Sequence, residues 1–274
     1  MPISHDPDTP FKPADNIVGR IHPTGAITTK YIKSRHIAPL SPLHWLSLAA
    51  SDFAKAPLIS MLFGALFSII PIAMLAFAWR QDNLMLLLPL SMAFSLIGPA
   101  FAIALYDVAW QLEKHKTPSF FHSAAALKRN AASNWGFAVL LLLLMVVWMR
   151  LAGLIYAIYP PYSNPSFESL LPFLTLGTLV GAALTGLGFA ISAFTPQLIM
   201  ERRVDLMTAM LTSLKAVSTN VPAMVVWAGL LFAFVLLGFA TGGLGFIVIM
   251  PILSYASWHG YIAVVKTKVH RHYE

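Results

Sequence analysis

The chain contains no cysteine and carries little charge. Without thiols it forms no disulfide, holds no iron–sulfur cluster through thiolates and builds no Cys-based zinc site. Charged residues make up 11% of the 274, against about 25% in soluble domains, while 58% are hydrophobic. A soluble fold of that composition would expose large apolar patches and aggregate. Lipid tolerates it. No Walker loop, HExxH or GxSxG occurs, which removes the common signatures of nucleotide hydrolysis, zinc proteolysis and α/β-hydrolase chemistry. No basic patch interleaves with aromatics, so the net charge of +7 is not read as nucleic-acid binding. Met1 to Lys30 has no apolar signal core, which leaves targeting to the first membrane helix.

What the chain has in abundance is apolar length. Six runs stand out, at about 58–79, 84–106, 135–159, 170–200, 223–240 and 244–265. Each is near or above the ~20 residues that cross ~30 Å of hydrocarbon as a helix. The fourth is the longest and must tilt, bend or emerge, with Pro172 and Pro196 as break points. Of the 18 Lys and Arg residues, all but Arg80 and Arg150 lie in the tails and the alternate connections 107–134 and 201–221. The positive-inside rule then puts both termini in the cytoplasm. The fold class expected is all-α: a polytopic membrane protein of six transmembrane helices spanning 41–265, with a disordered tail at 1–40 and a short one at 266–274. Trp79, Trp110, Trp135, Trp258 and Tyr261 are expected at the membrane interface.

A shorter amphipathic segment precedes each odd-numbered span. These open at Ser41-Pro42, Thr117-Pro118 and Asp205, with residue types that cap helix N-termini. In the first, Leu46, Ala50 and Phe53 form the apolar face. In the second, Phe120, Ala124, Leu127 and Ala131 recur at helical spacing. In the third, Leu206, Met210, Leu214 and Val217 lie opposite Asp205, Thr208, Thr212 and Lys215. Such helices lie in the interface. With Pro99, Pro196 and Pro251 expected near the cytoplasmic ends of the even spans, the chain reads as three copies of elbow, helix, helix.

Three stretches carry a family resemblance: Asp52-Phe53-Ala54-Lys55-Ala56-Pro57, the run from Asp205 to Ala216, and the run from Pro251 to Tyr261. They resemble an uncharacterised bacterial inner-membrane family, a domain of unknown function, over roughly residues 40 to 265. The resemblance implies the six-helix architecture and a bacterial inner-membrane location, and no activity. That family is sometimes labelled cytochrome c oxidase subunit I. The residues oppose the label, because an oxidase core needs several histidines inside the membrane for two haems and a copper. Of the nine histidines only His259 falls within a span. No cofactor is expected.

Arg150, inside the third span, is the most notable intramembrane charge, and a charge at such depth often marks a pathway or an ion pair. Glu168 and Asp82 are its candidate partners. Asp107, Thr185, Gln197 and His259 complete the set of candidates for an intramembrane polar site. Gly177, Gly181 and Gly188 in the fourth span read as helix-packing positions. No enzyme activity is expected, and the leading reading is a scaffold or accessory protein, as an oligomer or beside a membrane complex. The alternative is a small permease or channel with a polar path near Arg150 and the fourth span. A third reading, a membrane enzyme, would need Asp107, His115, Glu201 and His259 to cluster.

Overall fold

The computed structural model describes residues 17–18, 31–82, 94, 102–128, 130–158 and 167–265. The chain enters through a two-residue antiparallel pair, β1 (Ile17–Val18) and β2 (Tyr31–Ile32). The helices follow: α1 (Ser41–Lys55), α2 (Pro57–Arg80), α3 (Ile103–Glu113), α4 (Phe120–Ala126), α5 (Ala131–Ile158), α6 (Phe167–Ser192), α7 (Thr195–Arg202), α8 (Leu206–Thr219), α9 (Val221–Ala240) and α10 (Phe246–Val264). Four of these, α2, α5, α9 and α10, are long and apolar enough to cross a membrane. The run Glu168–Arg202, formed by α6 and α7, is a fifth. The expected second span lies largely outside the described residues.

The chain is organised around α10. It packs against α1 and α2 most extensively, and against α3 and α9. Burial in lipid gives helices little hydrophobic drive to associate, so close backbone approach and polar contacts must hold them. Both are present. Gly64 on α2 lies so near α10 that a Cβ would collide with the Ile247 carbonyl oxygen. Gly260 on α10 sits against the Trp45 ring of α1, where a Cβ would come within 2.9 Å. Gly243 makes the α9–α10 turn at φ +88°, close against Ile72. The rings of Phe94, Phe239 and Phe246 meet edge to face at 5.2–6.1 Å, and Trp45 meets Trp227 at 5.7 Å.

The α5–α6 pair stands apart. Its two helices pack on each other and reach the rest through α7 and α8. Most of their surface faces outward. The break between α6 and α7 falls at Ala193-Phe194, where Pro196 cannot donate to the helical ladder. Ser213 of α8 repairs it: its hydroxyl accepts from the Phe194 amide at 3.1 Å and donates to the Ala190 carbonyl at 2.8 Å. Pro172 lies in the first turns of α6 without breaking it.

Several expectations need correction. Residues 31–40, expected within a disordered tail, are docked. The Ile32 amide donates to Thr212 Oγ1 at 3.0 Å, the Arg35 amide to the Val264 carbonyl at 2.7 Å and the Ile37 amide to Asn220 Oδ1 at 3.0 Å. Asn220 Nδ2 also donates to the Arg35 carbonyl. The elbows are real at α1 and α8 and reduced at α4, whose helix ends at Ala126 before Leu127 can join its face. Ser41 sits inside α1 rather than capping it, whereas Asp205 does cap α8, accepting from the Thr208 amide at 2.9 Å.

The buried faces also differ. On α1 Pro42, Trp45, Ala49 and Asp52 turn inward, and on α8 Ala209, Thr212, Ser213, Ala216 and Val217 do, leaving Leu214 outside. Pro251 lies in the first half of α10, away from the expected end. Trp79 and Trp135 are exposed as interfacial aromatics should be, but Trp258 and Tyr261 are fully buried.

The glycines make a direct test. Gly64→Ala forces α2 away from α10 and should lower stability by about 1–3 kcal/mol, the usual cost of overpacking. Gly177→Ala, with nothing within 4 Å, should be neutral or slightly stabilising. Thermal unfolding of the purified variants in detergent decides it.

Candidate functional site

The C-terminal half of α10, from Ser254 to Val264, is unusually rich in polar and aromatic residues for a membrane helix. One turn after another, its side chains meet partners from different elements. Tyr255 shares a hydrogen bond of 2.6 Å with Ser60 at the start of α2. Trp258 Nε1 donates to Glu113 Oε2 of α3 at 2.9 Å. Tyr261 donates to Glu201 of α7 and accepts from Arg202 Nε at 3.1 Å.

His259 pairs with Asp52 of α1 at 2.8 Å, in a site where the two are only 8% and 6% exposed. Lys55 Nζ reaches the other Asp52 oxygen at 2.8 Å from the outside. Burial alone would push the Asp52 carboxyl up. The hydrogen bonds and charges of His259 and Lys55 outweigh it and hold the group below its ordinary value. Asp205, capping α8, is likewise held low, chiefly by the Thr208 amide.

A second knot joins α3 to α4. Asp107, 1% exposed, accepts at Oδ2 from Gln111 Nε2 at 2.8 Å and from Ser123 Oγ at 2.9 Å, with His122 Nδ1 at 2.8 Å. Gln111 Oε1 accepts from the Ser119 amide at 3.0 Å, closing the turn into α4. The His122 ring lies parallel to Trp110 at 6.1 Å, and Lys116 stands over the same indole at 5.4 Å.

The candidate polar residues do not converge. Asp107 and His259 are buried in separate networks. Gln197 is fully buried at the head of α7, where its Nε2 lies 3.4 Å from the Ala193 carbonyl and its Oε1 has no hydrogen-bond partner among the described residues. Arg150 and Thr185 face outward from α5 and α6. Among the described residues neither Arg150 nor Glu168 has an ion-pair partner.

The cluster an enzyme would need does not form as expected. His115 is an exposed turn residue at φ 53° that ends α3, and His122 takes its place beside Asp107. Among the described residues no three His, Asp or Glu side chains gather as a metal ion would require. Of the packing glycines, Gly188 is buried, Gly181 has only Trp148 Nε1 at 4.0 Å, and Gly177 has nothing near. The sequence reading missed Asp52, Glu113, His122 and Ser60. The one available signal was the density of polar and aromatic residues at 254–261, which marks a helix end that does not face lipid.

Residues 87–201 match a family model described as a predicted integral membrane protein (DUF2189). That stretch is similar to an uncharacterised family of membrane proteins. The match covers less than half of the sequence. It runs to Glu201 and takes in Asp107, His122, Arg150 and Gln197, while Asp52 and His259 lie outside it, as do the three stretches on which the resemblance was first read. No curated protein and no solved structure matches the chain.

Two outcomes follow from the geometry. In a double-mutant cycle with Asp52→Ala and His259→Ala, the two losses of stability should be non-additive by about 1–3 kcal/mol. A sum with no coupling would remove the pair as a joint. Because the folded carboxyl lies below its ordinary 3.8, its contribution is complete at neutral pH and is lost as pH falls through the lowered value. The thermal midpoint of the parent should therefore fall more steeply below about pH 4 than that of Asp52→Asn. Separately, Asn220→Ala should release residues 31–37 and make them measurably faster to cleave by protease, with the helical content unchanged.

Proposed function

We propose that this is a non-enzymatic scaffold or accessory protein of a bacterial inner membrane, with six spans and the elbow-bearing end in the cytoplasm. Its polytopic character and unknown biochemical activity accord with the family model that residues 87–201 match. The distribution of Lys and Arg supports the orientation. The bacterial location rests on the family resemblance. The six-span count rests on the apolar run 84–106, and the repeat finds support in α1 and α8, each followed at once by a span with Pro in its first turn.

The observation that carries the scaffold reading is that the side chains Tyr255, Trp258, His259 and Tyr261 of α10 each bond to a different element and tie it to α10. Two shallow grooves among the described residues, one on α2 and one between β2 and α8, are lined by none of these side chains. A permease asks for a polar cavity reaching Arg150 or Thr185, and both side chains face away from the bundle. Function then falls to surfaces, in contact with lipid, a second copy or a larger membrane complex.

Purified protein reconstituted alone into liposomes should pass no ions, amino acids or sugars above the rate of empty vesicles. Solute flux that Arg150→Ala abolishes would replace the scaffold with the permease.

A further inference from the structure

The elbow helix α8 buries two hydroxyls and exposes two large apolar side chains. Thr212 and Ser213 point into the protein, where Thr212 holds the Ile32 amide and Ser213 mends the α6–α7 break. Met207 and Leu214 point away, 59% and 38% exposed. Water is a poor cover for such a face. The helix leads directly into α9, which is long and apolar enough to cross a membrane and so sets α8 beside a bilayer boundary.

A groove runs along that face between β2 and α8, lined by Tyr31, Leu211, Leu214, Lys215 and Ser218. The four α8 residues recur at helical spacing and form a single stripe. Lys215 is exposed, and neither its ammonium nor the Tyr31 hydroxyl has a protein partner among the described residues. The Ser218 hydroxyl already donates a hydrogen bond to the Lys215 carbonyl, at 3.0 Å. The groove thus offers one cation and one free hydroxyl donor beside two leucines.

We propose that this groove binds the headgroup of an anionic phospholipid, with the phosphate on Lys215 and Tyr31 and the acyl chain along Leu211 and Leu214. A basic residue at the surface of an anionic leaflet attracts its lipids, and a leucine pair below it supplies the apolar half of the contact. The site would tie the docked segment 31–37 to the bilayer, because Tyr31 opens that segment. The proposal rests on α8 lying at the membrane boundary and not on the scaffold reading, so a positive liposome flux would leave it untouched.

The test uses the full chain in a mild detergent, titrated with phosphatidylglycerol or phosphatidylcholine, with thermal stability and native mass spectrometry as readouts. Phosphatidylglycerol should stabilise the parent and stay bound, and phosphatidylcholine should not. Lys215→Gln should bind phosphatidylglycerol about fivefold more weakly, Tyr31→Phe should lose part of the effect, and Lys114→Gln, an exposed lysine at the end of α3, should behave as the parent. Circular dichroism checks that each variant is folded. Equal binding by the parent and Lys215→Gln would overturn the assignment, and so would an equal loss in Lys114→Gln. Stabilisation by inorganic phosphate alone to the same extent would replace the lipid with a free anion and overturn it too.

Discussion

A carboxylate cannot be withdrawn from water at the edge of a membrane unless both of its oxygens are met, and at Asp52 they are. His259 takes one and Lys55 the other. That pairing lets α1 fold back over the end of α10, with Trp45 lying against Gly260 and meeting Trp227 of α9 edge to face. Remove the pairing and the buried face of α1 carries an unmatched charge, which works against its packing on α10. The docking of α1 then sets where α2 begins, since only Ala56 separates them. From there Gly64 meets α10 backbone to side-chain-free backbone. The order of packing runs outward from this joint.

The same economy recurs along α10. Within lipid no helix gains much by hiding leucine from leucine, so specificity comes from groups that would be unsatisfied elsewhere. Ser60, Glu113 and Glu201 each come from a different helix, and each meets one α10 side chain. Networks of this kind fix a unique arrangement when every member is satisfied. A Tyr whose hydroxyl is shared between a carboxylate and a guanidinium, within a fully buried pocket, is a fastener.

The elbows extend the principle to chain breaks. The helical ladder breaks just ahead of Pro196, and the Phe194 amide and Ala190 carbonyl, which would pair in an unbroken helix, are both met by Ser213 from a helix further along. Asn220, between α8 and α9, ties its own helix and the segment near Arg35 at once. Thr212 and Ser213 therefore turn inward on α8 while Met207 and Leu214 turn outward. The α5–α6 pair has fewer such ties and presents most of its length, Arg150 included, to its surroundings. Among the described residues the molecule thus divides into a fastened centre and an outlying hairpin.

Membrane class was legible from apolar run length, because a hydrocarbon thickness imposes a minimum helix length and tolerates few charges within it. The cap at Asp205 and the break at Pro196 were legible too, since each is a local matter of caps and prolines. Which way a short amphipathic helix faces was not. Near a bilayer both of its sides can be apolar-facing or protein-facing, so Leu46 and Ala50 could not be told from Trp45 and Ala49 by period alone. The Asp52–His259 joint lies 207 residues apart in the chain, and the docking of residues 31–37 depends on Thr212 and Asn220 at similar distance. Pairings of that span leave no local trace. They exist only once α10 has gathered α1, α2, α3 and α7 about its end, and that gathering is a property of the packed structure.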